Sequence, residues 1–116
     1  MVGERQITRV CRGTERGPMM SVMVSVEMPI RPEKFDEAVA FLRDILPDTR
    51  AFEGCEHLDT YLDREGSRAL LIERWTAPEN QQAYIGWRVE SGFLDQWGEF
   101  ASGEASFGTW EIAADV

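Results

Sequence analysis

The sequence predicts an α+β fold of the ferredoxin-like type, with two helices packed on one face of a four-stranded antiparallel sheet. Alternating apolar residues indicate strands, and apolar residues at helical spacing indicate helices. These elements follow one another as strand, helix, strand, strand, helix, strand, which is the βαββαβ order of this sandwich. A chain of 116 residues fits one domain with a single modest core.

The first predicted strand and helix lie between residues 20 and 54. The segment MSVMVSVEM alternates and so presents one apolar face, formed by Met20, Val22, Val24, Val26 and Met28. The segment IRPEKFDEAVAFLRDIL changes to helical spacing, with one apolar stripe made of Phe35, Ala38, Val39, Leu42, Ile45 and Leu46. Pro47 is expected to end or kink this helix, with room for one more turn before Gly54.

A hairpin and a second helical region are predicted to follow. CEHLDTYLDRE and RALLIERW read as two strands joined by a short turn at 65–67. In the first of these strands Cys55, His57, Asp59 and Tyr61 fall on one side. Thr76 is predicted to cap the next helix, and Glu79 would complete a capping box. Gly92 then separates a second amphipathic piece, and ASFGTWEIAA is predicted to be the last strand.

The first 19 residues show no sustained apolar period. We interpret residues 1–19 as a flexible tail with room for a short strand around Gln6–Cys11, and residues 20–116 as the folded domain. The tail has basic residues but no apolar stretch of the kind that secretory signals carry.

Charge and cysteine content narrow the classes of partner. The 12 basic and 21 acidic residues give a net charge of −9, which argues against nucleic acid and anionic membranes as partners. No apolar run approaches the length of a membrane span. The two cysteines, Cys11 and Cys55, favour a reducing, cytoplasmic location over a disulfide framework. With His57 as the only histidine and no CxxC or HExxH motif, we expect no metal site.

The predicted topology leaves one sheet face uncovered. Methionine, valine, leucine and tryptophan side chains on that face would form an apolar patch larger than monomers tolerate. We therefore predict a homodimer in which two sheets pack face to face.

In its order of motifs the chain resembles the antibiotic biosynthesis monooxygenase domain, within the dimeric α+β barrel superfamily. The resemblance covers roughly residues 20–114 and rests on the stretches RPEKFDEAVAFLRDILPDTRAFEGC, EHLDTYLDRE and LIERWTAPENQQAY. The last is the most specific, because members commonly end a strand in Glu-x-Trp before a capped helix. Tyr84 stands where many members have a histidine, and no histidine follows His57, which argues against haem binding.

The resemblance implies a monooxygenase that needs no cofactor. Its substrate would be an electron-rich phenol, anthrone or hydroquinone that reacts with O2 after losing a proton. On this basis Trp75, Arg88 and Tyr61 are candidate catalytic residues, since they offer an indole N–H, a permanent positive charge and a phenol. The candidate substrate-binding residues are Tyr84, Trp87, Trp97, His57 and Asp59.

The same residues also fit ordinary structural roles. Trp75, Trp87 and Trp97 suit core packing, Arg88 suits a surface position or an ion pair, and His57 suits the surface or an interface. Glu73 is expected to form a structural ion pair or interface contact rather than to act as a base. Two other functions stay open: a non-oxidative isomerase or cyclase on the same scaffold, and a non-catalytic dimer that binds a small aromatic molecule.

Overall fold

The computed structural model describes residues 21–116, so the predictions for residues 1–19 and for Met20 lie outside the described residues. The predicted order of elements is confirmed. They are β1 (Val22–Pro29), α1 (Phe35–Ala51), β2 (Cys55–Asp63), β3 (Arg68–Trp75), α2 (Pro78–Glu90), α3 (Phe93–Gly98) and β4 (Ser106–Glu111). A single 3-10 turn, Pro32–Lys34, precedes α1.

The sheet has the strand order β2-β3-β1-β4, and every neighbouring pair is antiparallel. In this register Val24 of β1 lies opposite Glu73 of β3 and Thr109 of β4. Because side chains alternate along a strand, these residues point to the same face as the buried Val26 and Met28. That face carries the helices, and we call the opposite one the free sheet face.

The core lies between the helices and the covered face of the sheet. Helix α1 contributes a buried stripe along one side, formed by Phe35, Ala38, Leu42, Leu46 and Thr49. Burying each large apolar side chain of this kind stabilises the fold by roughly 1.5–3 kcal/mol. The stripe agrees with the predicted spacing, and Thr49 extends it by one turn.

Two local predictions needed correction or refinement. Pro47 does not end α1, which continues to Ala51, so the helix includes the further turn that the sequence allowed.

The predicted capping box at Thr76 and Glu79 is wrong. Ala77 occupies the N-cap position of α2 without a side-chain cap. The Thr76 hydroxyl instead bonds the Gly54 carbonyl at 3.3 Å and the Glu56 carboxylate at 3.2 Å, which draws it away from the helix.

The corner between α1 and β2 depends on Gly54. Its φ of +92° lies in the left-handed region that other residues avoid. A Cβ at this position would lie 2.4 Å from Cγ of Asn80, so the start of α2 packs directly against the corner.

Within residues 21–116, no helix combines the length and apolar character that crossing a membrane requires.

Candidate active site

A cavity of about 370 Å³ lies between the covered face of the sheet and helices α2 and α3. Its apolar walls come from all three, and include Val26, Met28, Leu71, Ile85, Val89, Phe93, Trp97 and Phe107. Cavities of this size and character hold small organic molecules in other proteins.

Two aromatic residues of the wall belong to α3. The rings of Phe93 and Trp97 stack with centroids 6.2 Å apart and planes only 7° from parallel. The two residues are four apart in sequence, so they lie one above the other on a single helix face. Both rings line the cavity, where a planar ligand can pack against an aromatic side chain.

Polar side chains on the wall are few, and those of Glu73, Tyr84, Arg88 and Glu104 line the cavity. Glu73 is only 3% exposed, whereas Glu104 lies in an exposed position on the segment between α3 and β4. Burial raises the pKa of Glu73 from its ordinary value, because the ionised carboxylate loses its hydration.

The Glu73 carboxylate has one fixed partner. Trp75 lies two residues further along β3, so both side chains point to the same face, and its indole N–H donates to Oε1 of Glu73 at 2.8 Å. This hydrogen bond lowers the pKa and so opposes the larger effect of burial. Among residues 21–116 no hydrogen bond reaches Oε2, and no cation lies within 4 Å of either oxygen. The predicted structural ion pair of Glu73 is therefore not present in this part of the chain.

Arg88 is held by a network of neutral groups. Its Nε–H donates to the Tyr84 hydroxyl at 2.7 Å. Its Nη2 donates to the Ile45 carbonyl at 2.8 Å and to Oγ1 of Thr49 at 2.9 Å. Tyr84 and Thr49 share a further hydrogen bond of 2.6 Å. Tyr84 and Arg88 meet α1 together because their spacing of four places them on one face of α2.

The charge of Arg88 is consequently not balanced by an ion pair within residues 21–116. The residue is 8% exposed, and its guanidinium carbon lies 4.7 Å from the centroid of the Trp87 ring. Contact with an aromatic face stabilises a cation only in part. A buried positive charge on an apolar cavity wall favours a ligand with negative charge at that point.

Trp75, a candidate catalytic residue by its indole N–H, does not line the cavity. It is completely buried and packs against Phe52 and Tyr84, with centroids 6.3 and 5.4 Å away. Its N–H donates to Glu73.

Tyr61, His57 and Asp59 do not line the cavity either. All three lie on the free sheet face, because β2 places them opposite Leu70, Arg74 and Ile72 of β3. His57 and Asp59 form a pair with 3.0 Å between Nε2 and Oδ2, and Tyr61 is 54% exposed.

Trp87 is partly exposed on α2 and stacks on Arg88 from outside the cavity. Of the predicted site residues, the structure thus brings Tyr84, Arg88 and Trp97 to one cavity.

Glu73 and Thr49 are the functional candidates that the sequence interpretation missed. Each carries a detectable signal, because each occupies an apolar position of a regular pattern. Glu73 falls between Leu71 and Trp75 on the buried side of β3. Thr49 continues the stripe of α1 three residues after Leu46. A polar side chain at a core position needs a partner or a function.

Fold and cavity together define a ferredoxin-like α+β domain with an apolar cavity between sheet and helices. Residues 21–102 match the family described as antibiotic biosynthesis monooxygenase, and the chain belongs to that family. Proteins of this family are often monooxygenases.

Solved structures show the same fold. A protein from Mycobacterium tuberculosis is 22% identical with a TM-score of 0.71, over 83% of this chain and 98% of that one. A protein from Pseudomonas aeruginosa is 17% identical with a TM-score of 0.72, over 84% of this chain and 100% of that one. A putative antibiotic biosynthesis monooxygenase from Nitrosomonas europaea is 12% identical with a TM-score of 0.68, over 85% of this chain and 96% of that one. No curated protein matches the chain significantly.

Residues 21–116 contain no group of three histidine, cysteine, aspartate or glutamate side chains placed to hold a metal ion.

Proposed function

We propose that this protein is a cofactor-independent monooxygenase that oxidises a phenolic, anthrone or hydroquinone-type aromatic substrate with O2. The observation that carries the proposal is the apolar cavity of about 370 Å³, whose wall holds a stacked aromatic pair and a buried guanidinium. Membership of the family supports the reaction class.

The cavity supplies what such a substrate needs. Its planar rings would pack against Phe93 and Trp97, and its ionised oxygen would lie at Arg88. A charge-assisted hydrogen bond from a buried guanidinium stabilises an oxyanion more strongly than water-exposed contacts do. A bound substrate would displace water from these apolar walls, and that water would otherwise solvate the anion and slow its reaction with O2.

The reaction balances without a further reductant. In the anthrone case a ring CH2 group loses a proton, and the electron pair spreads over the rings and the oxygen at Arg88. Electron transfer to O2 and recombination form a peroxide anion on that carbon, and protonation gives a hydroperoxide. Loss of water leaves C=O, so one oxygen atom enters the product and the other enters water. The substrate supplies all four electrons that O2 accepts.

We further infer that the protein acts as a homodimer joined through the free sheet faces. The family commonly forms dimers, and this face carries exposed aromatic and aliphatic side chains. The partners in this proposal are therefore the small aromatic substrate, O2 and a second copy of the chain.

An oxygen-electrode assay tests the function. Metal-free protein is mixed with a panel of anthrones and hydroquinones, and O2 uptake is compared with the uncatalysed rate. We expect Arg88→Leu to lower kcat/KM on the order of 100-fold, the effect of losing one oxyanion donor. Arg43→Leu is the matched control, since Arg43 is exposed on α1.

The outcome separates the competing functions. If none of the compounds drives O2 uptake above background, the oxygenase proposal is wrong. Product analysis and titration calorimetry with the same panel then distinguish an isomerase or cyclase from a non-catalytic binding protein.

A further inference from the structure

We propose that Glu73 is the general base that removes the substrate proton in this cavity, and that Trp75 is the positioning residue that holds it for that task. This inference rests on the proposed function for the identity of the substrate. It assigns a role to Glu73, for which the sequence favours a structural contact, and a different role to Trp75.

Position singles out Glu73 among the possible proton acceptors. Within the described residues it is the buried carboxylate on the cavity wall, whereas Glu104 lies in an exposed position. His57 and Asp59 point to the free sheet face. The Tyr84 hydroxyl already bonds both Thr49 and Arg88, and a guanidinium does not accept protons.

The hydrogen bond from Trp75 leaves one carboxylate oxygen for chemistry. An indole N–H only donates, so it fixes Oε1 of Glu73 as an acceptor and cannot take the substrate proton itself. Trp75 is immobilised by the rings of Phe52 and Tyr84. No hydrogen bond within residues 21–116 occupies Oε2, which is the oxygen we assign to the proton transfer.

The electrostatic surroundings suit a base. Burial raises the pKa of Glu73, so its carboxylate is a stronger base than an exposed one, while the Trp75 N–H keeps the ionised form accessible. The other ionisable groups that line the cavity are Tyr84 and Arg88 of α2 and Glu104 before β4, and Cys55 of β2 is close enough to feel the charge of Glu73. The pKa of the Cys55 thiol is raised, first by burial and then by the negative charge of Glu73.

The proton transfer closes a cycle. The acidic C–H or O–H bond of the substrate breaks, its electron pair stays on the substrate, and the proton moves to Oε2 of Glu73. When O2 has added, the same O–H bond returns the proton to the peroxide anion. The regenerated carboxylate then takes the second C–H proton as the O–O bond breaks, and that proton joins the departing hydroxide to form water.

Steady-state kinetics over a range of pH test the assignment, with Glu73→Gln as the main variant. An amide keeps the shape and the acceptor for Trp75 but cannot take a proton. We expect kcat to fall on the order of 100- to 10,000-fold, with a much smaller change in KM. The plot of kcat against pH should also lose its acidic limb, which is the decline in kcat at low pH caused by protonation of the base. Glu65→Gln is the matched control, because Glu65 is exposed in the turn between β2 and β3 and does not line the cavity, and it should keep both kcat and the acidic limb.

Trp75→Phe tests the positioning role separately. Removing the N–H removes the interaction that lowers the pKa of Glu73, so the acidic limb should move to higher pH. A purely structural tryptophan would change the stability of the protein without moving this limb. Circular dichroism and thermal unfolding establish that each variant is folded.

A second measurement distinguishes two negative results: that Glu73 is not the base, and that the protein is not an oxygenase. Under nitrogen, exchange of the anthrone CH2 protons with D2O reports proton removal without O2. Exchange that needs Glu73 but leads to no O2 uptake in air would keep the base and reject the oxygenase. O2 uptake and exchange that persist in Glu73→Gln would reject the base and keep the oxygenase.

Discussion

At the scale of single residues, the site is unusual in burying two ionisable groups that form no ion pair with each other within 4 Å. Both Glu73 and Arg88 lie on the wall of one cavity, and within residues 21–116 their hydrogen-bond partners are neutral groups. Removing a charge from water is costly unless a partner compensates it. We therefore expect the burial of these two groups to reduce the stability of the fold, a cost that is often found at functional sites.

Because of this cost, the unfolding free energy of the protein should depend on the ionisation of Glu73 even when no substrate is present. Its folded-state pKa is raised above the ordinary value of 4.5, so folding favours the protonated form. The stabilising contribution is complete below that ordinary value and is lost as the pH rises through the folded-state pKa. We expect Glu73→Gln to be more stable than the wild type at neutral pH by on the order of 1 kcal/mol.

Urea unfolding of both proteins at several pH values measures this effect. The difference in unfolding free energy should shrink toward acidic pH, where the wild-type carboxyl is already neutral. A difference that stays constant with pH would contradict the burial argument.

The hydroxyl of Tyr84 is predicted to contribute to stability through Arg88. Tyr84→Phe would leave the Nε–H of Arg88 and the hydroxyl of Thr49 without this partner. We expect the unfolding free energy to fall by about 1–3 kcal/mol, the cost of unsatisfied buried groups. Tyr61→Phe is the matched control, and its exposed hydroxyl should matter by less than about 0.5 kcal/mol. Equal losses in both variants would argue against the network.

The sequence could indicate part of this site. Tyr84, Arg88 and Trp97 were candidates by residue type, and all three lie on the cavity wall. Alternation along β2 groups Cys55 with His57, Asp59 and Tyr61, but a register shift after Cys55 places it opposite the buried Trp75 instead. The pattern also does not say which face of the sheet meets the helices. Nor does it show that the Trp75 N–H bonds a carboxylate two residues away. Those relations depend on tertiary packing.

At the scale of elements, periodicity predicted the strands and helices because each has one face against the core. The spacing in α1 and the alternation in β1 are both strong, and both elements formed as expected. The capping box failed for a tertiary reason, since Gly54 and Glu56 offer Thr76 acceptors that a local motif cannot reveal. Local hydrogen bonds compete with such alternatives whenever two elements meet at a corner.

The corner before β2 and the middle of α2 should respond in opposite ways to the same substitution. Gly54→Ala forces a side chain into a left-handed φ and against Asn80, so we expect a loss of roughly 1–3 kcal/mol. Gly86→Ala lies in α2 with open space around the new methyl group, so we expect a gain of about 0.5–1 kcal/mol. Thermal unfolding of both variants checks the pair, and stabilisation by Gly54→Ala would overturn this account of the corner.

At the scale of the whole molecule, the sheet has two faces of different character. The covered face holds the core and the cavity. The free sheet face exposes large side chains of three strands, namely Tyr61 at 54%, Leu70 at 36% and Trp110 at 55%. Ion pairs join Arg68 to Glu27 and to Asp63 at one end of this face. An apolar centre with a charged margin is the composition of a protein interface.

Packing of two free sheet faces predicts a dimer that one charge would disrupt. Leu70 projects from β3, an inner strand of the sheet, so Leu70→Asp would bury a carboxylate without a partner in the dimer. Light scattering coupled to gel filtration should find a dimer for the wild type and a monomer for this variant. Leu94→Asp is the matched control, because Leu94 is 63% exposed but lies on α3, on the helix side of the sheet. It should remain a dimer. A wild type that is monomeric at micromolar concentration would reject the dimer. A Leu94→Asp variant that dissociates while Leu70→Asp does not would place the contact elsewhere.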